Sequence, residues 1–478
     1  METSTTHAIA KNTLAQLIGK IISTGLGLLA IGMMTRYLGQ EQFGWYITTM
    51  SFLQFAGILI DFGMIPVTAQ MMSEPAFDKT TLFKNLLGFR AASAFVCLGI
   101  APLIALFFPY PIEVKLAIAL TSVAFFGNAI TQILIGLYQT RLRMHLAALG
   151  EVVGRVALVL GLWLVMRGNG SFLVIMGVVT LGSIVQTLYL WFYAAREIRI
   201  SFAYDKNIWR AIAKKMWPIA ISIMCNVVYL KGDAVFLSLM RSQEEVGLYG
   251  AAYRVLDIVT QTAMMMMGVM LPLLAYAWSR NIKEDFKKYY QQSFDLLMLV
   301  AIPSATGLWI LGKPIMALVA GDAFADAGKI LAILAIAVFG VYLGAVFGHA
   351  AVAINRQKET IWIYASDAVI TLIGYLIFIP LFGMYGAAWM TVFSELYAGV
   401  LLFFTVRHFS RESLRWNTLG KIIFASAAMA LTLLAIPASV SVIIHILAGM
   451  VVFAGVLALV GGVSKETLRA MIRAKPIG

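Results

Sequence analysis

Five basic side chains lie inside long apolar stretches of this 478-residue chain. They are Lys20, Arg90, Arg155, Lys231 and Arg254. A charge in the middle of a membrane-spanning helix costs about 2.5 kcal/mol or more, so it usually faces a cavity or an opposite charge. Their positions therefore raise the question of whether these cations bind an anion.

Lys20, Lys231 and Arg254 are the deepest of these cations and the leading candidates for such a site. Lys20 is too deep in its run for easy escape of the amine to the interface. Glycines at positions 19, 25, 27 and 32 would let a ligand or a neighbouring backbone approach it closely. Asp257 follows Arg254 by three residues on the same helical face. An internal ion pair and an anion-binding site are both open for these two residues.

Four other charges lie nearer the ends of their runs and are expected to be structural. Glu151 and Arg155 are four residues apart, a spacing that favours a self-neutralising pair. Arg90 and Asp295 lie within about two turns of an end, so their side chains can extend to the interface. A cavity-lining role stays open for all four.

Three acidic residues, Asp61, Asp367 and Glu395, have no basic residue within four positions. Each is predicted to line a cavity, to pair across helices, or to bind a proton or a sodium ion. Asp233 lies two residues from Lys231 and points to a different helical face, so it needs a partner from elsewhere. We assign Asp61, together with Asp257, to the substrate-binding set.

The composition explains why these charges stand out. The chain is 61% hydrophobic and only 12% charged, and its mean hydropathy is +0.87, whereas soluble domains are about half apolar and a quarter charged. It is therefore predicted to be an all-α polytopic membrane protein. Cys97 and Cys225 lie in apolar runs and predict neither a disulfide framework nor a metal site.

Runs of about 20 apolar residues, the length that crosses a bilayer core, predict fourteen transmembrane helices. They span about 13–37, 45–71, 85–108, 113–140, 147–167, 171–195, 216–240, 246–278, 290–311, 327–353, 360–381, 385–406, 419–437 and 440–463. Most of the 36 Lys and Arg residues fall on alternate connections, on the same side as the N-terminus. This bias predicts that both termini are cytoplasmic, with the basic loops next to anionic membrane lipids. It also accounts for the net charge of +13 without a nucleic-acid partner.

A repeated polar turn divides the chain. The motif "GQEQFGWY", residues 39–46, follows the first predicted helix, and "SQEEVGLY", residues 242–249, follows the seventh. The Ser-x-x-Glu spacing of the second motif is that of a capping box. We therefore predict a six-helix lobe at 1–204, a second at 205–412 related to it by a parallel repeat, and, at 413–478, two further helices with a basic cytoplasmic tail.

Two stretches carry a family resemblance. The first helix, "AKNTLAQLIGKIISTGLGLLAIGMMTRYLGQEQFGWY", and the segment "IPLFGMYGAAWMTVFSE", residues 379–395, resemble the Wzx-type oligosaccharide flippases. These belong to the multidrug/oligosaccharidyl-lipid/polysaccharide exporter superfamily. The resemblance implies two lobes around a cavity that opens alternately to each side of the bacterial inner membrane. The implied substrate is a polyprenyl-diphosphate-linked oligosaccharide, and the implied partners are a polysaccharide polymerase and chain-length machinery.

In this interpretation Lys20, Lys231 and Arg254 bind the diphosphate. Asp233 and Asp367 resemble in placement the carboxylates that some superfamily members use for sodium, and Thr391 lies one turn from Glu395. These four residues are predicted to couple transport to Na⁺ or H⁺, and no other cofactor is predicted.

Two transport alternatives stay open: a lipid II flippase and a multidrug exporter of the same superfamily. A membrane-embedded enzyme is disfavoured, because no predicted connection exceeds about 20 residues and no P-loop motif for ATP binding is present. The sequence contains no readable pattern for the particular glycan, the driving force or the oligomeric state.

Overall fold

The computed structural model describes the backbone of residues 2–61, 64–73, 78–141 and 143–462. The side chains of residues 2–15, 17, 58–61, 65, 66, 69, 73 and 218–230 are outside this description. The side chains of Asp61 and Cys225 and the predicted basic tail after residue 462 therefore lie outside the described residues.

Within these ranges the chain forms fourteen α-helices, two short 3-10 turns and no strand. The helices are α1 (Glu2–Asp61), α2 (Met64–Ser73), α3 (Lys79–Ala105), α4 (Ile112–Thr140), α5 (Met144–Arg167), α6 (Phe172–Ala195), α7 (Lys206–Met240), α8 (Gln243–Ser279), α9 (Lys283–Ala320), α10 (Ala327–Ala353), α11 (Ile361–Phe382), α12 (Met384–Ser410), α13 (Asn417–Ala435) and α14 (Val442–Leu459).

Helix α1 is two helices joined at one residue. Its 60 residues would extend about 90 Å at 1.5 Å per residue, far more than one crossing of a bilayer core requires. Gly39 interrupts it with φ 69° and ψ −175°, a left-handed conformation that glycine adopts without steric cost. The sequence predicted a turn over several polar residues. The structure confines the break to Gly39, and residues 40–46 are already helical.

The membrane crossings agree with the sequence prediction. Twelve segments of the described residues are long and apolar enough to span a bilayer. That number counts α1 once, although the break at Gly39 divides it into two crossings. It also leaves out α7, whose middle lies outside the described side chains. With the second crossing of α1 and with α7, the total is fourteen. The fold is thus that of an all-α polytopic membrane protein, and the prediction of fourteen transmembrane helices is confirmed.

The helices form two compact units, Met1–Gly247 and Leu248–Gly478. The first includes α7, which packs on α1 and α3 and inserts Ile208, Ile212 and Met216 into the apolar core of α3 and α4. A backbone N–H of the preceding loop, that of Asp205, donates to the side-chain oxygen of Asn85 at 2.7 Å. The predicted lobe boundaries at 204 and 412 stay predictions.

Each unit has the same helix-packing pattern. In the first unit α4 packs on α3 and α6, and α5 packs on α6. In the second unit α10 packs on α9 and α12, and α11 packs on α12. The additional helices α13 and α14 pack on each other and on α9. The same neighbours six helices later are what a parallel repeat requires.

The two repeated turns meet inside the first unit. A Cβ atom added to Gly44 would clash with the carbonyl group of Gln243, and one added to Gly247 would clash with that of Gln40. Gln40 and Gln243 hold the same position in the two motifs, so the contact is reciprocal. The predicted cap at the start of α8 is also present, because the Glu245 backbone N–H donates to the Ser242 hydroxyl at 3.4 Å.

Candidate functional site

A cavity of about 240 Å³ lies within the first unit. It is enclosed by the second half of α1 and by α4, α5 and α6, and we call it the first-unit cavity. Its lining combines aromatic, hydroxyl, amide and charged groups with apolar ones: Tyr46, Met50, Thr121, Ala124, Phe125, Asn128, Glu151, Gly154, Arg155, Leu158, Val179, Gly182, Ser183 and Gln186.

Small residues bring α5 and α6 close together at this cavity. A Cβ atom on Gly154 would lie 2.9 Å from the carbonyl oxygen of Gly182, and one on Gly182 would lie 3.1 Å from that of Gly154. Glycine at such positions lets two membrane helices approach at backbone distance. This approach places the charged residues of α5 beside the polar side chains of α6.

Lys20 reaches the edge of the first-unit cavity and is paired. Its Nζ lies 3.4 Å from the Oε1 atom of Glu151, and the Ser23 hydroxyl donates to the same oxygen at 3.1 Å. The predicted pairing of Glu151 with Arg155 is therefore wrong. The partner comes instead from α1, because α1 packs directly on α5. The Lys20 side chain is still 38% exposed, so an anion can reach it.

The sequence spacing predicts a structural role for Arg155, but the structure places it in the lining of the first-unit cavity. It is exposed and lines the first-unit cavity, and among the described residues its guanidinium makes no hydrogen bond or ion pair. Across from it lies Gly27, where an added Cβ would be 3.8 Å from the guanidinium carbon. A glutamate four residues earlier suggested neutralisation, but that glutamate is held by Lys20. The Arg155 guanidinium is therefore available to an anionic ligand.

Uncharged hydrogen-bonding groups line the same cavity. The Ser183 hydroxyl donates to Asn128 Oδ1 at 2.8 Å, which leaves the Asn128 NH₂ group without a hydrogen bond to any described residue. The Gln186 amide is likewise unpaired within the described part of the chain. The Thr121 hydroxyl oxygen is fully buried and has no partner there. Asn128 is exposed and Gln186 is half-buried, so both amides can bind a polar ligand in the cavity.

Arg90 is buried rather than directed to the interface, so the predicted extension of its side chain is wrong. It is 2% exposed, and its Nε donates to the Ala129 carbonyl of α4 at 3.2 Å. Its guanidinium also bonds to the Gln132 side chain. Helix α3 packs on α4 along this face, so Arg90 ties two helices of the first unit together and is structural.

Asp295 also has a structural role. It accepts a hydrogen bond from the Gln291 side chain at 2.9 Å. Gln291 in turn accepts from the backbone N–H of Arg415 at 2.8 Å and so anchors the connection between α12 and α13.

The other predicted substrate ligands are divided between the units. In the second unit Arg254 and Asp257 form the internal ion pair that their spacing allowed, with 3.7 Å between Nη1 and Oδ2. Lys231 belongs to the first unit and is half-buried. Asp61 lies outside the described side chains. The predicted clamp of Lys20, Lys231 and Arg254 stays a prediction.

Two of the predicted ion-coupling residues lie close together in the second unit. Asp367 of α11 is fully buried, and its carboxylate accepts hydrogen bonds at 3.0 Å from Thr371 and from Ser394 of α12. The next residue on α12 is Glu395, which is also buried. Carboxylate and hydroxyl oxygens of this kind are ligands that hard cations prefer.

Thr391 and Asp233 complete the predicted set. Thr391 shares a hydrogen bond of 3.1 Å with the Tyr249 hydroxyl, and Asp233 is buried in the first unit. A cation site formed by the four residues stays a prediction. Within the described residues there is no group of three or more His, Cys, Asp or Glu side chains that could hold a metal ion.

The two units use the same helix differently. Glu151 is the eighth residue of α5, and Asp367 is the seventh residue of α11, the helix six places later in the chain. Four residues later come Arg155 and Thr371, respectively. In the first unit the acid pairs with a lysine and leaves an arginine open to the cavity. In the second unit the acid is closed off by hydroxyl groups.

Comparison with known proteins identifies the relatives of this fold. The family model for polysaccharide biosynthesis proteins matches residues 9–278, more than half of the chain, and the MatE family model matches residues 218–381. A Haloferax volcanii protein described as a probable low-salt glycan biosynthesis flippase, Agl15, is 24% identical over 481 residues. The match covers 98% of this chain and 100% of that protein.

Solved structures share the fold. The lipid II flippase MurJ, in an inward closed conformation, has a TM-score of 0.80 at 16% identity, covering 96% of this chain and 100% of MurJ. An inward-facing multidrug resistance MATE family transporter of the MOP superfamily has a TM-score of 0.63 at 12% identity, covering 84% of this chain and 98% of that one. These relatives are described as flippases and transporters, and the likeness to the solved structures shows the fold that this chain shares with them.

Proposed function

Because the chain belongs to the polysaccharide biosynthesis protein family, we propose that it is a flippase that moves a polyprenyl-diphosphate-linked oligosaccharide across the membrane by alternating access. The observation that carries this proposal is the exposed Arg155 guanidinium in the first-unit cavity, among amide and hydroxyl groups. Agl15, described as a probable glycan biosynthesis flippase, matches the chain over nearly its whole length and supports the same activity.

The chemistry of the cavity suits such a substrate. Lipid cannot solvate the diphosphate and the sugar hydroxyls of a lipid-linked glycan, so a path through the protein must supply cations and hydrogen-bonding groups. Arg155 and Lys20 supply positive charge, and Asn128 and Gln186 supply amide groups of the kind that bind hydroxyls. An unpaired arginine among transmembrane helices costs free energy unless an anion binds to it.

The same cations argue against the multidrug alternative. A carrier of cationic drugs needs a cavity with a net negative charge, whereas the acid of the first-unit cavity, Glu151, is already paired with Lys20. A lipid II flippase remains the second candidate, since lipid II is also a polyprenyl-diphosphate saccharide and the MurJ fold covers 96% of this chain.

A cation gradient is the proposed driving force. Asp367, Thr391 and Glu395 of the second unit, with Asp233 of the first, are the proposed Na⁺ or H⁺ ligands. Asp367→Asn should abolish the dependence of transport on the gradient that drives it. If transport in vesicles continued unchanged with both sodium and proton gradients collapsed, the coupling proposal would be wrong.

The proposed location is the inner membrane of a bacterium, with both termini in the cytoplasm. The proposed partners are a polysaccharide polymerase and its chain-length machinery. A cysteine replacing Asn207 should resist a membrane-impermeant thiol reagent in intact cells, whereas one replacing the exposed Glu244 should react. Gln243, the neighbouring position, is a poorer probe because it packs against Gly44 and hydrogen-bonds to Thr48. Labelling of the Asn207 cysteine from outside would reverse the orientation.

Transport itself can be tested in proteoliposomes. The full chain is reconstituted with a lipid-linked oligosaccharide labelled on the sugar, and exposure of the sugar to an impermeant glycosidase is followed. The sugar should become accessible to the glycosidase faster in vesicles that contain the chain than in protein-free vesicles. Lys20→Arg should retain much of this activity and Lys20→Ala should lose it, because an ammonium binds phosphate as a point charge. Equal rates with and without the chain would refute the flippase proposal.

A further inference from the structure

The charge of the first-unit cavity is small and positive. Glu151 contributes one negative charge and is matched by Lys20 at 3.4 Å. Arg155 contributes one positive charge that no described residue matches. The three side chains therefore sum to one positive charge. A diphosphate brings at least two negative charges and would leave the cavity negatively charged, in a region where uncompensated charge is costly.

The cavity is also small. Its volume of about 240 Å³ is below the roughly 300–1,000 Å³ of pockets that hold drug-sized ligands. That is enough for one sugar ring and too little for an oligosaccharide with its lipid carrier. The first-unit cavity is therefore matched in size to one residue of a glycan.

The hydrogen-bonding groups complete the match. Asn128 on α4 and Gln186 on α6 both line the cavity and have amide groups unpaired among the described residues. Neutral amides and hydroxyls both donate to and accept from sugar hydroxyls.

From the charge, the volume and these unpaired groups, we propose that the first-unit cavity is a subsite for a single acidic sugar residue of the transported glycan, whose carboxylate binds Arg155. This inference rests on the proposed function and names the part of the substrate that the cavity binds. A guanidinium can hold a carboxylate through two parallel hydrogen bonds. Asn128 and Gln186 bind the hydroxyls of the same ring. The diphosphate is bound outside the cavity lining, where the partly exposed Lys20 ammonium at the cavity edge is a proposed ligand.

Binding of small probes to the purified full chain in lipid nanodiscs tests the subsite directly. Saturation-transfer NMR is run with D-glucuronate, with D-glucose as the neutral match, and with pyrophosphate. Wild-type chain should prefer glucuronate to glucose by at least about tenfold, the size expected of one charge-assisted contact. Arg155→Gln should reduce this preference to near one and leave glucose binding unchanged. Arg155→Lys should keep part of it, because an ammonium lacks the planar fork.

Matched controls separate recognition from loss of charge or of folding. Arg167→Gln removes a cation from the same helix, outside the cavity lining, where the guanidinium stacks on Trp163, and should leave the preference intact. Gln186→Ala should weaken glucuronate and glucose together. Equal binding of the two sugars by wild-type chain would overturn the proposal. So would pyrophosphate displacing glucuronate and losing its own binding in Arg155→Gln, since the cavity would then be a diphosphate site.

Transport distinguishes this inference from the proposed function. Wild-type chain should move a lipid-linked glycan containing a uronic acid faster than a matched neutral one, and Arg155→Gln should equalise the two rates. If both glycans move at one rate in wild-type chain, the flippase proposal stands and the acidic-sugar subsite is refuted. If neither glycan moves, the flippase proposal fails whatever the binding experiment shows.

Discussion

Gly44→Ala should destabilise the first unit, although alanine is the better helix former. The added Cβ would lie 2.7 Å from the carbonyl carbon of Gln243, with the carbonyl oxygen closer still. Carbon atoms prefer about 3.5–4.0 Å, and the carbonyl oxygen is only 1.8 Å away, so the two helices must separate by more than about 1 Å. Overpacking of this kind costs about 1–3 kcal/mol, towards the upper end here because the obstacle is backbone, and the gain in helix propensity offsets about 1 kcal/mol.

The net loss of about 2 kcal/mol should lower the melting temperature by about 4–8 °C, since each kcal/mol shifts a domain of this size by about 2–4 °C. Thermal unfolding in detergent, followed by tryptophan fluorescence, measures it. Gly25→Ala, in the part of α1 before the break at Gly39, is the control, because an added Cβ there meets nothing within 4 Å, and it should raise the melting temperature. If Gly44→Ala were as stable as Gly25→Ala, the two repeated turns would not meet at backbone distance.

Three further outcomes follow from the ion pairs, hydrogen bonds and caps. Arg90→Met should cost about 1–3 kcal/mol of unfolding free energy, because its buried acceptors lose their donor; a melting temperature equal to that of wild type would contradict this. Lys20→Ala and Glu151→Ala should show a coupling of about 1 kcal/mol in a double-mutant cycle, as partly exposed pairs do, and strictly additive effects would rule the pair out. The backbone N–H of Thr81, and then its hydroxyl, hold the pKa of Asp78 below its usual value. The N-terminal cap of α3 therefore stabilises above the unfolded-state pKa and weakens as pH falls through the folded-state pKa. Asp78→Asn should abolish this pH dependence of hydrogen exchange at the Thr81 amide, and an unchanged dependence would assign it to another group.

The sequence by itself determined the class of protein, the number of helices and the repeat. The length of an apolar run decides whether it can cross a bilayer, and this depends only on local composition. The capping spacing of "SQEE" predicted the start of α8 for the same reason, since a cap involves residues three positions apart. The reciprocal contact of Gly44 and Gly247 was not predictable, because the shared glycines show that the positions are equivalent and not that they touch.

The partners of the charged residues were decided only by the tertiary structure. Arg155 looked neutralised because the nearest acid along the helix is Glu151, and Lys20 looked unpaired because no acid lies near it in the chain. Because α1 packs on α5, Lys20 pairs with Glu151, although the two residues are 131 positions apart in the chain. Arg155 is then left without an acidic partner among the described residues. The depth of Arg90 was misjudged in the same way, since burial against α4 depends on which helix lies beside it. Electrostatic energy depends on distance in space, so sequence spacing identifies the charges and only the folded chain pairs them.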